Sequence, residues 1–217
     1  FESMRDEIAE TLSSGMVTKG GQLVAFEQAV ASHLGVEHAV AVSSCTTGLA
    51  LTYRALGLNG PVIVPSFTFM ATVSALIWAG ATPRFVEIDP TTTNLDPAAV
   101  RVALTADVVG IVAVHNFGNP AAVRELESIA AAAGIPLVFD AAHGFGARYE
   151  QRPVGGFGRA ESFSLSPTKL LIAGEGGIVA TNDAELARRI RVGREYGNDG
   201  HYGTEFAGIN ARMAEYN

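Results

Sequence analysis

Cysteine is almost missing from this sequence: Cys45 is the single one in 217 residues. One thiol cannot build an internal disulfide framework, and no Cys/His pairs stand at zinc-ligand spacing, so no metal site is expected. A reducing compartment suits such a chain. Basic residues are also scarce, with 15 Lys and Arg against 22 Asp and Glu and a net charge of -7. That balance lacks the positive footprint of a nucleic-acid binder, so any small anionic ligand must find local donors. Long apolar runs are missing too, and the charged start FESMRDEIAE has no apolar signal core. Together these absences lead to the expectation of a cytoplasmic protein that engages neither nucleic acid nor membrane.

What is present is a core. With 48% hydrophobic residues the chain can bury one large domain. Short β-branched runs alternate with alanine-rich amphipathic stretches, the pattern of βαβ units around a mostly parallel sheet. Seven strands are predicted: AVAVS with its core at 41–43, then 62–65, 84–88, 108–114, 136–140, 162–165 and 177–181. Helices are predicted near 22–34, 46–57, 70–79, 97–104, 120–133 and 184–196. Several strands are almost continuously apolar, as expected when helices cover both faces of a sheet. The fold class is therefore α/β in three layers. The stretch from Arg194 to Asn217, rich in Gly, Asn, His and Tyr, reads as a loop-rich exit rather than a closing strand, and the architecture is expected to be incomplete at that point.

Ligands of open α/β sheets bind beyond the carboxyl ends of strands, and the residues there are polar. After the first strand comes Ser43-Ser44-Cys45-Thr46-Thr47-Gly48, leading into a helix. Free N–H groups and hydroxyls at a helix N-terminus either hold a phosphate or simply cap the helix. After the fifth strand stands Asp140, followed by His143. A carboxylate there is costly unless paired, so Asp140 either holds a cationic ligand nitrogen or caps the next turn. After the sixth strand, SLSPTKLLIAGEGG sets Ser164, Ser166 and Thr168 ahead of Lys169, with Leu170, Leu171 and Ile172 behind it. A lysine in a partly apolar pocket is a nucleophile for carbonyl chemistry; otherwise its stem lies along a hydrophobic edge. A phosphate nest, a carboxylate and an amine are together what pyridoxal 5′-phosphate requires.

In their order and spacing, SGMVTKGGQLVAFEQAV, SSCTTGLAL, VPSFTFMATVSALIWAGATPRFVEIDPTTTNLDP, DAAHGFGARYEQRPVGGFG, SFSLSPTKLLIAGEGGIVATND and GINARMAEYN make the chain resemble the DegT/StrS sugar aminotransferases. These are a branch of the fold-type-I pyridoxal-phosphate enzymes. The resemblance implies that Lys169 is the Schiff-base lysine, that Ser164 binds the cofactor phosphate and that Asp140 pairs with the pyridine nitrogen. It places His143 beside the ring hydroxyl and Phe69 on the ring face. The family's Ser-Gly-Thr phosphate turn falls on Ser44-Cys45-Thr46, where Cys45 replaces the usual glycine. If that position needs positive φ, Cys45 is strained by roughly 1 kcal/mol; if it needs only a small side chain, nothing is lost. Asn210 matches a residue that reaches the phosphate of the neighbouring subunit, which implies a homodimer with shared active sites. Thr18-Lys19-Gly20 matches a segment near the substrate, although Lys19 equally suits a solvated charge.

The implied reaction is a two-stage transamination. An amino acid, usually glutamate in this family, gives up its amino group, and a nucleotide-linked keto-sugar receives it. Lys169 serves as nucleophile and general base, and Asp140 keeps the ring nitrogen protonated. The resemblance makes residues 1–217 the cofactor-binding large domain, with the family's smaller C-terminal domain absent. Two rivals follow from the same fold. A dehydratase or deoxygenase would carry histidine in place of Lys169, and a non-catalytic binding module would be expected to lack Lys169 or Asp140.

Overall fold

The computed structural model describes residues 2–201 and 203–217. Its main sheet contains β1 (His38–Val42), β2 (Pro61–Pro65), β3 (Thr82–Val86), β4 (Gly110–Val114), β5 (Leu137–Asp140), β8 (Ala160–Ser164) and β9 (Gly177–Thr181). A separate hairpin is formed by β6 (Arg148–Tyr149) and β7 (Arg152–Pro153). The sheet order is β1-β9-β8-β5-β4-β2-β3, parallel except at β9, which runs antiparallel to both neighbours.

The helices are α1 (Glu2–Ser14), α2 (Gly21–Leu34), α3 (Cys45–Ala55), α4 (Met70–Ala79), α5 (Pro97–Ala103), α6 (Val123–Ala133) and α7 (Ala184–Gly193). The alternation of strand side chains assigns them to faces. Ala39 and Ala41 of β1, Ile111 of β4 and Phe139 of β5 pack with α2, α5 and α6. Val112 and Val138 face α3 and α4, and Val40, Val42 and Val179 face α3 and α7. The result is the expected three-layer sandwich with apolar cores on both sides of one sheet.

Local chemistry sets the helix limits. Asp96 caps α5, with Pro97 in the first turn, and Asp183 caps α7 through the Leu186 N–H. Gly35, Gly80 and Gly134 take left-handed conformations that end α2, α4 and α6. Several predicted limits move. The third strand occupies 82–86 rather than 84–88, because Thr82 already pairs with Pro61 and Ile88 instead bridges Leu95 across a turn. The sixth predicted strand starts at Ala160, since the buried Glu161 is a strand residue. Helix α7 stops at Gly193, which packs against Leu51 and Phe206, rather than at 196. Helix α1 and the β6–β7 hairpin were not expected. From Arg194 onward the described residues make isolated bridges only.

Candidate active site

At the start of α3, Ser44 is the N-cap: its Oγ accepts from Thr47 N–H, and Thr47 Oγ1 accepts from Ser44 N–H, each at 3.1 Å. That capping box satisfies two donors. The N–H groups of Cys45 and Thr46, at the first two helical positions, have no intrahelical acceptor. The segment therefore caps the helix and still leaves these two N–H groups without an intrahelical acceptor. Cys45 begins the helix and is not among the residues with positive φ, so the strained alternative falls away. Its buried thiol lies 3.4 Å from Ser162 O, and burial with the nearby Asp140 charge pushes its pKa well up. Opposite the turn, Gly177 admits no side chain, since a Cβ there would sit 2.5 Å from Cys45 N.

Asp140 ends β5 on the α3/α4 side of the sheet and is 4% exposed. Its Oδ2 accepts from Thr72 Oγ1 at 2.7 Å, and its Oδ1 accepts from Ala142 N–H at 3.0 Å. Thr72 in turn lies 2.7 Å from Thr68 Oγ1. Burial raises the Asp140 pKa, and Thr72, Ala142 N–H, His115 and His143 oppose the rise. The carboxylate has donors but no cationic side chain bonded to it among the described residues.

His143 is exposed and lines a cavity with Asp140, Ala142, Phe67, Phe69 and Phe117. Desolvation and the Lys169 charge lower its pKa, against the pull of Asp140. Phe117 stacks on the His143 ring with centroids 6.2 Å apart. Phe117 is a non-glycine residue in the left-handed region, φ 55°, and such strain marks a loop held by its surroundings. The holder is Asn94, which donates to Asn119 O and Pro120 O and accepts from Asn116 N–H. Phe69, the N-cap of α4, is 69% exposed at the mouth of the cavity, with Phe67 alongside. Ser164 ends β8 with its Oγ 3.3 Å from Ser166 Oγ. Half-buried Lys169 lines a cavity of about 300 Å³ with Ser164, Thr168, His143, Ala142, Phe145, Phe117 and Leu170.

The expected residues thus fall into two groups. Ser44, Cys45, Thr46, Asp140, His143, Phe69, Ser164 and Lys169 gather at the strand ends. Thr18, Lys19, Gly20 and Asn210 form a second group. Thr18 bridges Ala214, Lys19 pairs with Glu195 at 3.1 Å, and Asn210 also bridges Glu195. Gly20 N–H donates to Glu215, whose carboxylate also accepts from Gln22 and Leu23 and so caps α2 from across the chain. Asn210 is exposed and bonded to Arg212. It does not line the Lys169 cavity; the groups adjoin where Ser43 N–H donates to Ala211 O at 2.8 Å.

Thr72, Asn94, Phe117 and a buried His115–Glu161 pair are the residues that reading the sequence missed. Thr72 left a faint signal as a hydroxyl within the apolar run MATVSALIWA. The pair left none, being separated by 46 positions.

An amine, a buried carboxylate and a helix start with N–H groups free of intrahelical acceptors stand at one edge of the sheet, in the α/β fold of the fold-type-I aminotransferases. The chain belongs to the DegT/DnrJ/EryC1/StrS aminotransferase family, whose model matches residues 2–217. It is 41% identical over 189 residues to the spore coat polysaccharide biosynthesis protein SpsC of Bacillus subtilis, covering 86% of this chain and 48% of that protein. It is 40% identical over 223 residues to the dTDP-3-amino-3,4,6-trideoxy-alpha-D-glucose transaminase of Streptomyces venezuelae, covering 99% of this chain and 59% of the relative. The crystal structure of DesI with its TDP-sugar product superposes with a TM-score of 0.92 at 44% identity, over 98% of this chain and 55% of that one. The chain thus spans about half to three-fifths of the length of the relatives it matches.

Proposed function

We propose that this chain carries the pyridoxal-phosphate-binding part of an aminotransferase that moves an amino group from an amino acid, glutamate in the first instance, to a nucleotide-linked keto-sugar. The observation that carries the reading is Asp140: a buried carboxylate with three neutral hydrogen-bond donors, Thr72 Oγ1, Ala142 N–H and the Cys45 thiol, and no bonded cationic side chain, at the edge of the cavity system that Lys169 lines. The donor set fits the cofactor, with an amine, a carboxylate for a ring N–H, free backbone donors for a phosphate and exposed aromatic rings. When bound, the cofactor supplies an electron sink conjugated to the amino group being moved.

The residues then divide the work. Lys169 Nζ anchors the cofactor and carries the proton taken from the donor's α-carbon. Asp140 holds a proton on the ring nitrogen. Ser164 and the Cys45 and Thr46 N–H groups, at the positive end of α3, take the phosphate. His143 orients the ring hydroxyl and Phe69 covers a ring face.

The reading extends to a homodimer in which Asn210 reaches the partner's phosphate and Thr18-Lys19-Gly20 approaches substrate. An apolar surface supports it: α4 exposes Met70, Ile77 and Trp78 next to Phe67 and Phe69, where a helix apolar on both faces needs a cover. On this reading residues 1–217 are the large domain, the family's smaller C-terminal domain lies outside them, and the enzyme works in the cytoplasm, where Cys45 stays a thiol. The test supplies a full-length form with ¹⁵N-glutamate and nucleotide-linked keto-sugars. Transfer of ¹⁵N to sugar supports the reading; loss of a sugar oxygen without ¹⁵N gain replaces it with the deoxygenase.

A further inference from the structure

On the face of the sheet opposite the Asp140 side chain lies a polar pair that the proposed chemistry does not use. His115, just after β4, and Glu161, within β8, are both 0% exposed, with His115 Nε2 2.8 Å from Glu161 Oε1. The imidazole's other nitrogen, Nδ1, accepts from Ala121 N–H at 3.0 Å. An acceptor nitrogen carries no proton, so the proton is on Nε2 and Nε2–H donates to Glu161. Glu161 Oε2 accepts from Phe157 N–H at 2.9 Å and from Gly155 N–H. Every donor and acceptor position that the pair presents toward these neighbours is thereby committed in one direction.

The pair also spans the strand that carries Asp140. Glu161 stands opposite Phe139 in the β5–β8 register, and the His115 ring stacks on Phe139 at 4.7 Å. The His115 backbone N–H donates to Asp140 O at 3.0 Å, the rung that continues the β4–β5 ladder past the last pair of the strands. Immediately beyond His115 is the turn that sets Phe117 on His143. The ends of β4, β5 and β8, which bring Phe117, Asp140 and Ser164 to the site, are thus tied by one bridge over Phe139. Burying a carboxylate with a neutral imidazole adds little stability compared with apolar residues of the same volume, because both groups must be desolvated. What the pair's fixed donors and acceptors do supply is direction.

We propose that His115 and Glu161 are positioning residues that hold the Asp140 carboxylate at the distance required by the cofactor ring nitrogen, an inference that rests on the function proposed above. Glu161→Gln isolates the effect. The amide oxygen can keep Gly155 and Phe157 N–H, but the amide nitrogen then points a donor at the Nε2 donor of His115. Moving the imidazole proton to Nδ1 would relieve this only by opposing Ala121 N–H. The conflict has no local solution, so the bridge must shift.

The experiment uses the full-length protein loaded with pyridoxal phosphate labelled with ¹⁵N in the ring, read by NMR, with cofactor affinity and thermal unfolding in parallel. In Glu161→Gln, folding stays cooperative, the ring-nitrogen signal moves toward the unprotonated position set by Asp140→Asn, and cofactor Kd rises about tenfold, as for one weakened charge-assisted contact. A folded Glu161→Gln with wild-type ring signal and Kd overturns the inference. If that variant does not fold, His115→Phe, which keeps the stack on Phe139 and removes both ring nitrogens, is judged by the same criteria. Failure of both to fold makes the pair a folding element and also overturns it. An unprotonated ring nitrogen in the wild type, by contrast, defeats the role proposed for Asp140 itself.

Discussion

Thr72 donates its hydroxyl to Asp140 Oδ2 across 2.7 Å, joining the third residue of α4 to the end of β5. The bond lowers the Asp140 pKa against the rise that burial imposes. A helix hydroxyl therefore helps keep a buried carboxylate ionised where the proposed chemistry needs it so. Thr72→Val keeps the shape and removes the donor. At a pH where Asp140 is ionised, leaving that oxygen unsatisfied should cost about 1–3 kcal/mol, and the cost should fade on acidification as the carboxyl takes up its proton. Urea unfolding of Thr72→Val and Thr72→Ser across pH checks this, with Ser expected to retain most of the stability.

Asp140→Asn separates stability from chemistry. A carboxyl whose folded pKa is raised penalises the cofactor-free fold above that pKa, and the penalty vanishes below the unfolded value. Wild-type stability should thus fall as pH rises through the folded pKa of Asp140, and Asp140→Asn should lack that fall. With cofactor, the same variant should remain loaded yet lose glutamate half-reaction rate by at least tenfold, the equivalent of about 1.4 kcal/mol. Parallel chemical melts and rapid-mixing spectra measure the two effects; an unchanged half-reaction removes Asp140 from the ring nitrogen.

Gly177→Ala probes the nest from the opposite strand. The added methyl would lie 2.5 Å from backbone atoms of Ser44 and Cys45, so the start of α3 must retreat, at roughly 1–3 kcal/mol of stability. The free N–H groups move with it, and affinity for inorganic phosphate and for cofactor should fall together. Calorimetry with each ligand decides; cofactor binding as tight as in the wild type would place the phosphate elsewhere.

The layers were legible in the sequence because alternation of Val, Ile and Ala with amphipathic helices needs no long-range information. Lys169, Asp140 and Ser44 were legible as candidates because each stands at or shortly after the carboxyl end of a strand. The limits of β3 and β8 were less so, since pairing partners decide where a strand starts: Thr82 is recruited by Pro61, and Glu161 is polar yet fully buried. Residues that act through distant partners left little trace. Thr72 reaches Asp140 over 68 positions, and Glu215 caps α2 over more than 190. Cys45, read as strained if its backbone had to follow glycine, turns out to sit in an ordinary helical position where small size suffices.

The proposed homodimer yields a complementation test in full-length form. Lys169→Ala and Asn210→Ala, each inactive alone, form mixed dimers in which one site is doubly damaged and the other carries both native residues. If Asn210 acts across the interface, mixing should restore up to about half of native activity per mixed dimer, the share of one intact site in two. Subunit exchange is confirmed with tagged chains; exchanged dimers without activity would return Asn210 to its own subunit, where it bonds Arg212.

Everything proposed for this site depends on Lys169 being the amine that holds the cofactor. The most direct measurement is borohydride reduction of the folded, pyridoxal-phosphate-saturated protein, followed by proteolysis and peptide mass mapping. The expected result is one pyridoxyl group on the peptide containing Lys169, abolished by Lys169→Ala while cooperative unfolding persists. A label on Lys19, the one other lysine in the chain, or no label in saturated folded protein, would contradict it.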